Sequence, residues 1–279
     1  MERIKAITIL ILTLNSTLFF SQCTMDSFDY EVEPGLKYVE IDRLQNEWRF
    51  YDDKIIRKSE DKAYVDTFLL YDKFSTFSFD LRFPLKTLVY SFSKNRIDIK
   101  NSRWGTNASL SLDRIPFFQP ALVQYSSDEN FWILDKISNQ MAKVNEVGMV
   151  KFSKMNPFRI NNHSYQPTQL IDRKNYLVAM DSTFGLFVMD DYANLIQTLP
   201  IENLQSIFEY KGLLYIQKKD SMMEYRWNSE NRQLVSTNRF LVLKSKLLSI
   251  AHGISQTILF TANHRIYRVR DMDCLFQKF

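Results

Sequence analysis

Residues 130–148, NFWILDKISNQMAKVNEVG, decide the fold. An apolar run at 131–134 is followed by a polar segment at 135–139 and then by the alternating segment 141–144. A short apolar strand, a polar turn and an alternating strand are typical of an antiparallel β-hairpin. The stretch therefore predicts one hairpin, with a strand on either side of a turn at 135–139.

Variants of this hairpin recur along the chain. Each has an apolar anchor in its first strand, and the anchors are Phe50, Tyr90, Ile133, Val178, Tyr215 and Leu259. Successive anchors are separated by 40, 43, 45, 37 and 44 residues. A repeat of this length with four strands per unit is the signature of a β-propeller blade. We predict an all-β, six-bladed propeller of four-stranded antiparallel blades over residues 37–279, with five or seven blades as alternatives.

The N-terminal segment has the pattern of an export signal. Arg3 and Lys5 precede an apolar segment that polar residues interrupt, and a small, polar zone ends at Gln22. This segment is too short and too polar for a stable membrane span. We expect residues 1–22 to be a cleaved signal peptide, with an uncleaved anchor as the alternative, and 23–36 to be an extended lead-in. The expected location is the periplasm or the cell surface.

The chain has two cysteines, Cys23 and Cys274, at opposite ends of the expected ring. In an oxidising compartment such a pair can form a disulfide. The alternative is that Cys23 is the first mature residue and carries a lipid, although Gln22 fits a lipoprotein signal poorly. Both hypotheses stay open from the sequence.

Composition excludes some functional classes. A formal net charge of +4 is too small to require a nucleic acid or an anionic membrane as partner. A basic, aromatic segment with Arg265, Arg268 and Arg270 has the alternation of a solvated sheet face. The 22 Phe and 14 Tyr suit sheets packed face to face.

We find no motif for catalysis, a metal or a cofactor. The three histidines, His163, His252 and His264, fall in different units without a catalytic spacing. The acidic pairs fall at expected turns, where aspartate caps the backbone. They are Asp52 with Asp53, Asp190 with Asp191, and Asp271 with Asp273.

Two loops exceed what a turn requires, since connections have a median of roughly 4–6 residues. They are 154–167, KMNPFRINNHSYQP, and 114–120, RIPFFQP. Both connect one blade to the next, so they should emerge on the same rim, beside the turn at 135–139. The predicted binding residues are Phe117, Phe118, Arg159, Asn161, Asn162, His163 and Tyr165. The alternative is that these loops are packed and stiffened by proline.

A set of short segments, spread over about half of the chain, carries a resemblance to a known family. The segments are FWILD at 131–135, KVN at 143–145, GLFVMD at 185–190 and QTLP at 197–200, with Asp181, Tyr192 and, more weakly, DDKIIR at 52–57. Through them the chain resembles a family of exported β-propeller-like proteins of Bacteroidota. The resemblance implies the propeller fold and export, and it carries over no activity and no site residues.

We therefore expect an exported, non-catalytic propeller, monomeric, that binds a protein or a glycan in the cell envelope. Two alternatives are a propeller-type glycan hydrolase or lyase, which needs carboxylates converging on the central channel, and a structural subunit of an envelope assembly.

Overall fold

The computed structural model describes residues 34–60, 63–115, 117, 119–218, 221–242, 247–252, 257–261 and 266–269, and from residue 241 onward it describes the backbone alone. Across these residues the chain is built of β-strands, with short 3-10 turns at Phe74–Thr76 and Leu112–Arg114. No helix within them is long and apolar enough to cross a membrane. The predicted all-β class is confirmed.

Five antiparallel sheets of four strands follow one another, and the strands of each are hydrogen-bonded in chain order. The first blade comprises β1 (Tyr38–Ile41), β2 (Glu47–Phe50), β3 (Lys54–Lys58) and β4 (Val65–Leu69). The second comprises β5 (Phe77–Asp80), β6 (Thr87–Ser91), β7 (Arg96–Lys100) and β8 (Thr106–Ser111). The third comprises β9 (Pro120–Tyr125), β10 (Phe131–Asp135), β11 (Gln140–Val144) and β12 (Val150–Met155).

A two-stranded hairpin, β13 (Arg159–Ile160) and β14 (His163–Ser164), follows the third blade. The fourth blade comprises β15 (Gln169–Arg173), β16 (Tyr176–Asp181), β17 (Gly185–Met189) and β18 (Leu195–Pro200). The fifth comprises β19 (Ser206–Tyr210), β20 (Leu213–Gln217), β21 (Ser221–Asn228) and β22 (Gln233–Val242). A last sheet of three strands comprises β23 (Leu247–His252), β24 (Thr257–Thr261) and β25 (Ile266–Val269).

The first strands of successive sheets pack side by side, and the first and second blades, which complete the ring, adjoin through the rings of Phe50 and Phe79, whose centroids are 4.9 Å apart. In this ring β5 lies beside β9, β9 beside β15, β15 beside β19, β19 beside β23, and β23 beside β1. First strands that adjoin in this way line a central channel, and the sheets radiate from it, which is the architecture of a β-propeller. The three-stranded sheet fills the place between the fifth blade and the first.

The expected count of six four-stranded blades is corrected by the structure, which shows five, the number given as an alternative. The sixth repeat contributes the three-stranded sheet. The fourth strand that would complete it falls outside the described residues, as do residues 1–22 and both cysteines.

The hairpin at 131–144 forms as predicted, with Phe131 opposite Val144 and Leu134 opposite Met141. Residues 131–134 of its first strand are all apolar, and both faces of the strand are buried. Phe131 and Ile133 pack toward the second blade, whereas Trp132 and Leu134 pack toward the fourth. Side chains alternate between the faces of a strand, so one strand supplies two interblade cores. Each such buried side chain contributes about 1.5–3 kcal/mol relative to exposure.

Buried polar side chains connect neighbouring blades. The Asp172 carboxylate of the fourth blade accepts bonds from Trp132 Nε1 at 2.6 Å and Ser126 Oγ at 2.8 Å, both on the third blade. The backbone N–H of Leu170 donates to Gln124 Oε1 at 3.1 Å across the same interface. A buried carboxylate that loses its donors costs about 1–3 kcal/mol or more, so these bonds stabilise the interface between the third and fourth blades.

Candidate binding rim

Two kinds of segment lie at the same end of the ring: the turns between the second and third strands of each blade, and the links from one blade to the next. We call this end the link rim, and over the second to fourth blades it comprises turns 92–95, 136–139 and 182–184 with links 112–119 and 156–168. The turns between third and fourth strands, such as 101–105, lie at the opposite end because consecutive strands are antiparallel.

Both long links meet on the turn that follows β10. Gln119 N–H donates to Asp135 Oδ2 at 2.6 Å, and Lys136 N–H donates to the Gln119 carbonyl at 2.9 Å. From the other side, Gln166 Nε2 lies 3.5 Å from the Lys136 carbonyl oxygen. The structure thus brings links 112–119 and 156–168 together on one surface.

The hairpin β13–β14 gives the second link a defined shape. Its two turn residues, Asn161 and Asn162, have φ of 49° and 65°. Positive φ at both central residues is the pattern of a type I′ turn, in which asparagine is well tolerated. Arg159 Nη2 donates to Asn162 Oδ1 at 3.2 Å across the turn. The side chains of Arg159, Asn161, Asn162 and His163 are therefore exposed on a preorganised hairpin.

Tyr165 anchors this hairpin to the fourth blade. Its ring is half-buried, with its centroid 4.6 Å from that of Phe184 and 5.7 Å from that of Phe187. The His163 ring lies against it at 4.5 Å, edge to face. Tyr165 thus supports the exposed His163, and its replacement would cost stability.

Phe117 is not an exposed binding residue, contrary to the sequence prediction. It is 3% exposed and packs with Ile115 into the core between the second and third blades. Phe158 occupies the corresponding place between the third and fourth blades. Each link places one phenylalanine side chain at the end of an interblade core, and this packing explains why Phe117 is buried. These side chains recur with about the blade period, a signal that could have identified their role. Phe118 lies outside the described residues.

Within the described residues, aspartates of the predicted acidic pairs accept hydrogen bonds in turns or form ion pairs. Asp190 Oδ1 accepts from the N–H groups of Tyr192 and Asn194 at 2.9 and 2.8 Å. Asp52 pairs with Lys37 at 3.0 Å. Within the described residues there is no group of three or more His, Cys, Asp and Glu side chains that could hold a metal ion.

Exposed apolar side chains and a cavity complete the link rim. Ile137, at the tip of the turn after β10, is 63% exposed, and Met155, at the end of β12, is 55% exposed. Between the second and third blades lies a cavity of about 470 Å³. Its lining residues are Tyr90, Phe92, Asn95, Asp113, Gln119, Pro120, Ala121 and Lys136. Sequence reasoning found one side of this surface and missed the cavity, whose walls come from two blades.

A second polar cluster lies at the first strands of the ring. Burial, to which the nearby Asp80 carboxylate adds, raises the pKa of Glu40 to about 8. Burial also acts to raise the pKa of Asp80, but Arg82 outweighs it and holds that pKa below its usual value. Arg82 pairs with Asp80 at 2.6 Å and also donates to the Tyr125 carbonyl oxygen. Tyr125 N–H donates to the same carboxylate at 2.9 Å.

No protein-family model matches the chain, and no curated protein sequence matches it. Solved structures resemble it at low identity. A streptogramin B lyase is 10% identical with a TM-score of 0.58, over 87% of this chain and 95% of the lyase. A chain of a mitotic checkpoint complex is 10% identical with a TM-score of 0.59, over 91% and 94%. A chain from BBS1N in complex with ARL6DN is 10% identical with a TM-score of 0.54, over 86% and 79%. At such identities these likenesses show the β-propeller fold.

Proposed function

We propose that this protein is an exported, non-catalytic β-propeller that binds a protein partner of the cell envelope on its link rim. The observation that carries the proposal is the β13–β14 hairpin, which presents Arg159 and His163 on a fixed backbone. The same link contacts the turn of the exposed Ile137 through Gln166. Preorganised side chains lose little conformational freedom on binding, so more of their contact energy becomes affinity. Arginine and aromatic groups dominate many interfaces.

Two of the similar structures come from protein complexes, the mitotic checkpoint complex and BBS1N with ARL6DN. Export is supported by the pattern of residues 1–22 alone. The proposal of a protein partner rests on the exposed mixture of apolar and cationic groups at the link rim.

The competing function is that of a propeller-type hydrolase or lyase, and Glu40 beside Asp80 is the observation in its favour. A carboxyl whose pKa is raised to about 8 is suited to general acid catalysis. Asp80, however, is held by Arg82 and by the Tyr125 N–H, which accounts for it structurally. This arrangement favours the binding function.

The test is affinity capture from envelope fractions with the tagged chain and with the double variant Arg159→Ala/His163→Ala. Both side chains are exposed and each makes one local contact within the link, so the melting temperature should change little. We expect recovery of the partner to fall at least about tenfold, which corresponds to roughly 1.4 kcal/mol.

The matched control is Arg103→Ala, which removes an exposed arginine in the 101–105 turn at the opposite end of the ring. This control should capture the partner as well as the unchanged chain. Equal recovery by the double variant and the unchanged chain would overturn the proposal. A partner present in constant, stoichiometric amount with every variant would instead indicate a structural subunit.

A further inference from the structure

The cavity between the second and third blades has the size and polarity of a ligand site. Its volume of about 470 Å³ lies within the roughly 300–1,000 Å³ of small-molecule sites. Phe92, on one wall, is 42% exposed, so an open aromatic surface faces the space. The other walls carry amide, carboxylate and ammonium groups. The cavity opens to solvent at the link rim, so a ligand can reach these hydrogen-bonding side chains.

The wall of the second blade is a fixed acceptor surface. Tyr90 Oη donates to Asn95 Oδ1 at 3.0 Å, and Asn95 Nδ2 donates to Asp113 Oδ1 at 2.8 Å. Ser111 Oγ donates to Asp113 Oδ2 at 3.2 Å. Each carboxylate oxygen accepts one bond and keeps lone pairs for another. Because this chain of bonds starts at the buried Tyr90, it holds Asp113 in place.

The wall of the third blade is a donor surface. Lys136 is exposed, and no carboxylate of the described residues lies within ion-pair distance of its ammonium group. Its backbone is fixed by the bond from its N–H to the Gln119 carbonyl. The exposed Gln119 side chain adds an amide that both donates and accepts.

We propose that this cavity binds a neutral saccharide unit. Such a ligand has an apolar C–H face that can lie on Phe92. Its hydroxyl groups can donate to Asp113 and accept from Lys136 at the same time. The opposite charges of Asp113 and Lys136 leave the cavity without net charge, so it has no net electrostatic preference for an anion or a cation. The inference is independent of a protein partner on the hairpin, since none of the hairpin residues lines the cavity.

The experiment is isothermal titration calorimetry, in which the purified chain, without any partner, is titrated with N,N′,N″-triacetylchitotriose, cellotriose and maltotriose. We expect one of the three to bind, and we expect Phe92→Ala and Asp113→Asn each to weaken its binding at least tenfold. The matched controls are Phe240→Ala, an exposed phenylalanine on β22, and Asp53→Asn, an exposed aspartate on the link rim of the first blade. Both controls should bind as the unchanged chain does.

Melting temperatures of all four variants establish that each is folded. Absence of binding by all three sugars overturns the proposal, and so does equal binding by Phe92→Ala and the unchanged chain. Free tyrosine is titrated in parallel, because a zwitterion could also bridge Asp113 and Lys136. Binding of tyrosine without any sugar would reject the saccharide in favour of an amino acid.

Discussion

The backbone N–H of Gln166 donates a hydrogen bond to the Asp181 carboxylate, with 2.9 Å between the nitrogen and Oδ2. The other oxygen accepts from Thr183 N–H at 2.8 Å and from Phe184 N–H at 3.0 Å. One aspartate thus shapes the turn of the fourth blade and holds the link that arrives from the third. Asp135 does the same for Gln119 one blade earlier.

Asp181→Ala should therefore lower the free energy of unfolding by about 1–3 kcal/mol, because several N–H groups lose their acceptor. It should also increase proteolysis within link 156–168, whose end is no longer held. Chemical denaturation and limited proteolysis measure the two effects.

Asp190→Ala is the control, since Asp190 is more exposed and caps only its own turn. Its cost should be about 0.5 kcal/mol. If Asp181→Ala and Asp190→Ala cost the same and leave proteolysis unchanged, Asp181 does not secure the link.

Gly185, at the start of β17, should not tolerate a side chain. Its φ is +129°, and an added Cβ would overlap the carbonyl oxygen of Leu199 on the paired strand β18. Gly185→Ala should cost about 4 kcal/mol or more, because two hydrogen-bonded backbones would have to separate. Thermal unfolding or the yield of soluble protein measures the effect.

Gly212→Ala distinguishes steric overlap from backbone strain. Gly212 has φ of +77° with no atom within 4 Å of an added Cβ, so only strain remains. We expect a cost of about 1 kcal/mol. Equal costs for the two alanine variants would contradict the close approach at Gly185.

Glu40 should make the stability depend on pH near neutrality. Its pKa rises from 4.5 to about 8 in the folded chain, so the folded state holds the proton more tightly. The unfolded chain loses this proton first as the pH rises, so the contribution of Glu40 to the free energy of unfolding falls between these two values. The contribution is fully present below pH 4.5.

Glu40→Gln cannot ionise and should escape this loss. The stability of the variant relative to the unchanged chain should grow as the pH rises through this window and level off above it. Denaturation midpoints on both sides of the window measure it. A difference that stays the same at every pH would show that Glu40 keeps an ordinary pKa.

Local patterns were sufficient for much of the fold. The hairpin at 131–144, the antiparallel blades and the turn role of Asp190 were all predicted, because each depends on residues close together in sequence. The alternation of apolar and polar residues predicts a strand, and turn-forming residues predict where the chain reverses direction. These local patterns did not determine the number of four-stranded blades, because the repeats share no strict sequence motif.

The placement of side chains between blades was decided by tertiary structure. Phe117 and Arg159 both lie in long links, and the sequence of a link does not show which of its side chains points inward. Packing against the adjoining blade buries Phe117 and leaves Arg159 exposed. The cavity wall formed by Phe92 and Asp113 faces Lys136 because two blades pack side by side, and the charge of Asp80 acts on Glu40 because the two residues lie on the first strands of neighbouring blades. The sequence by itself determined the strands and their repeat, since those follow from the period of the side chains. The packing of blades into a ring decided which side chains meet, because the burial and the charge environment of a side chain at an interface depend on residues of the next blade, about 40 positions away in the chain, as for Asp172 and Trp132.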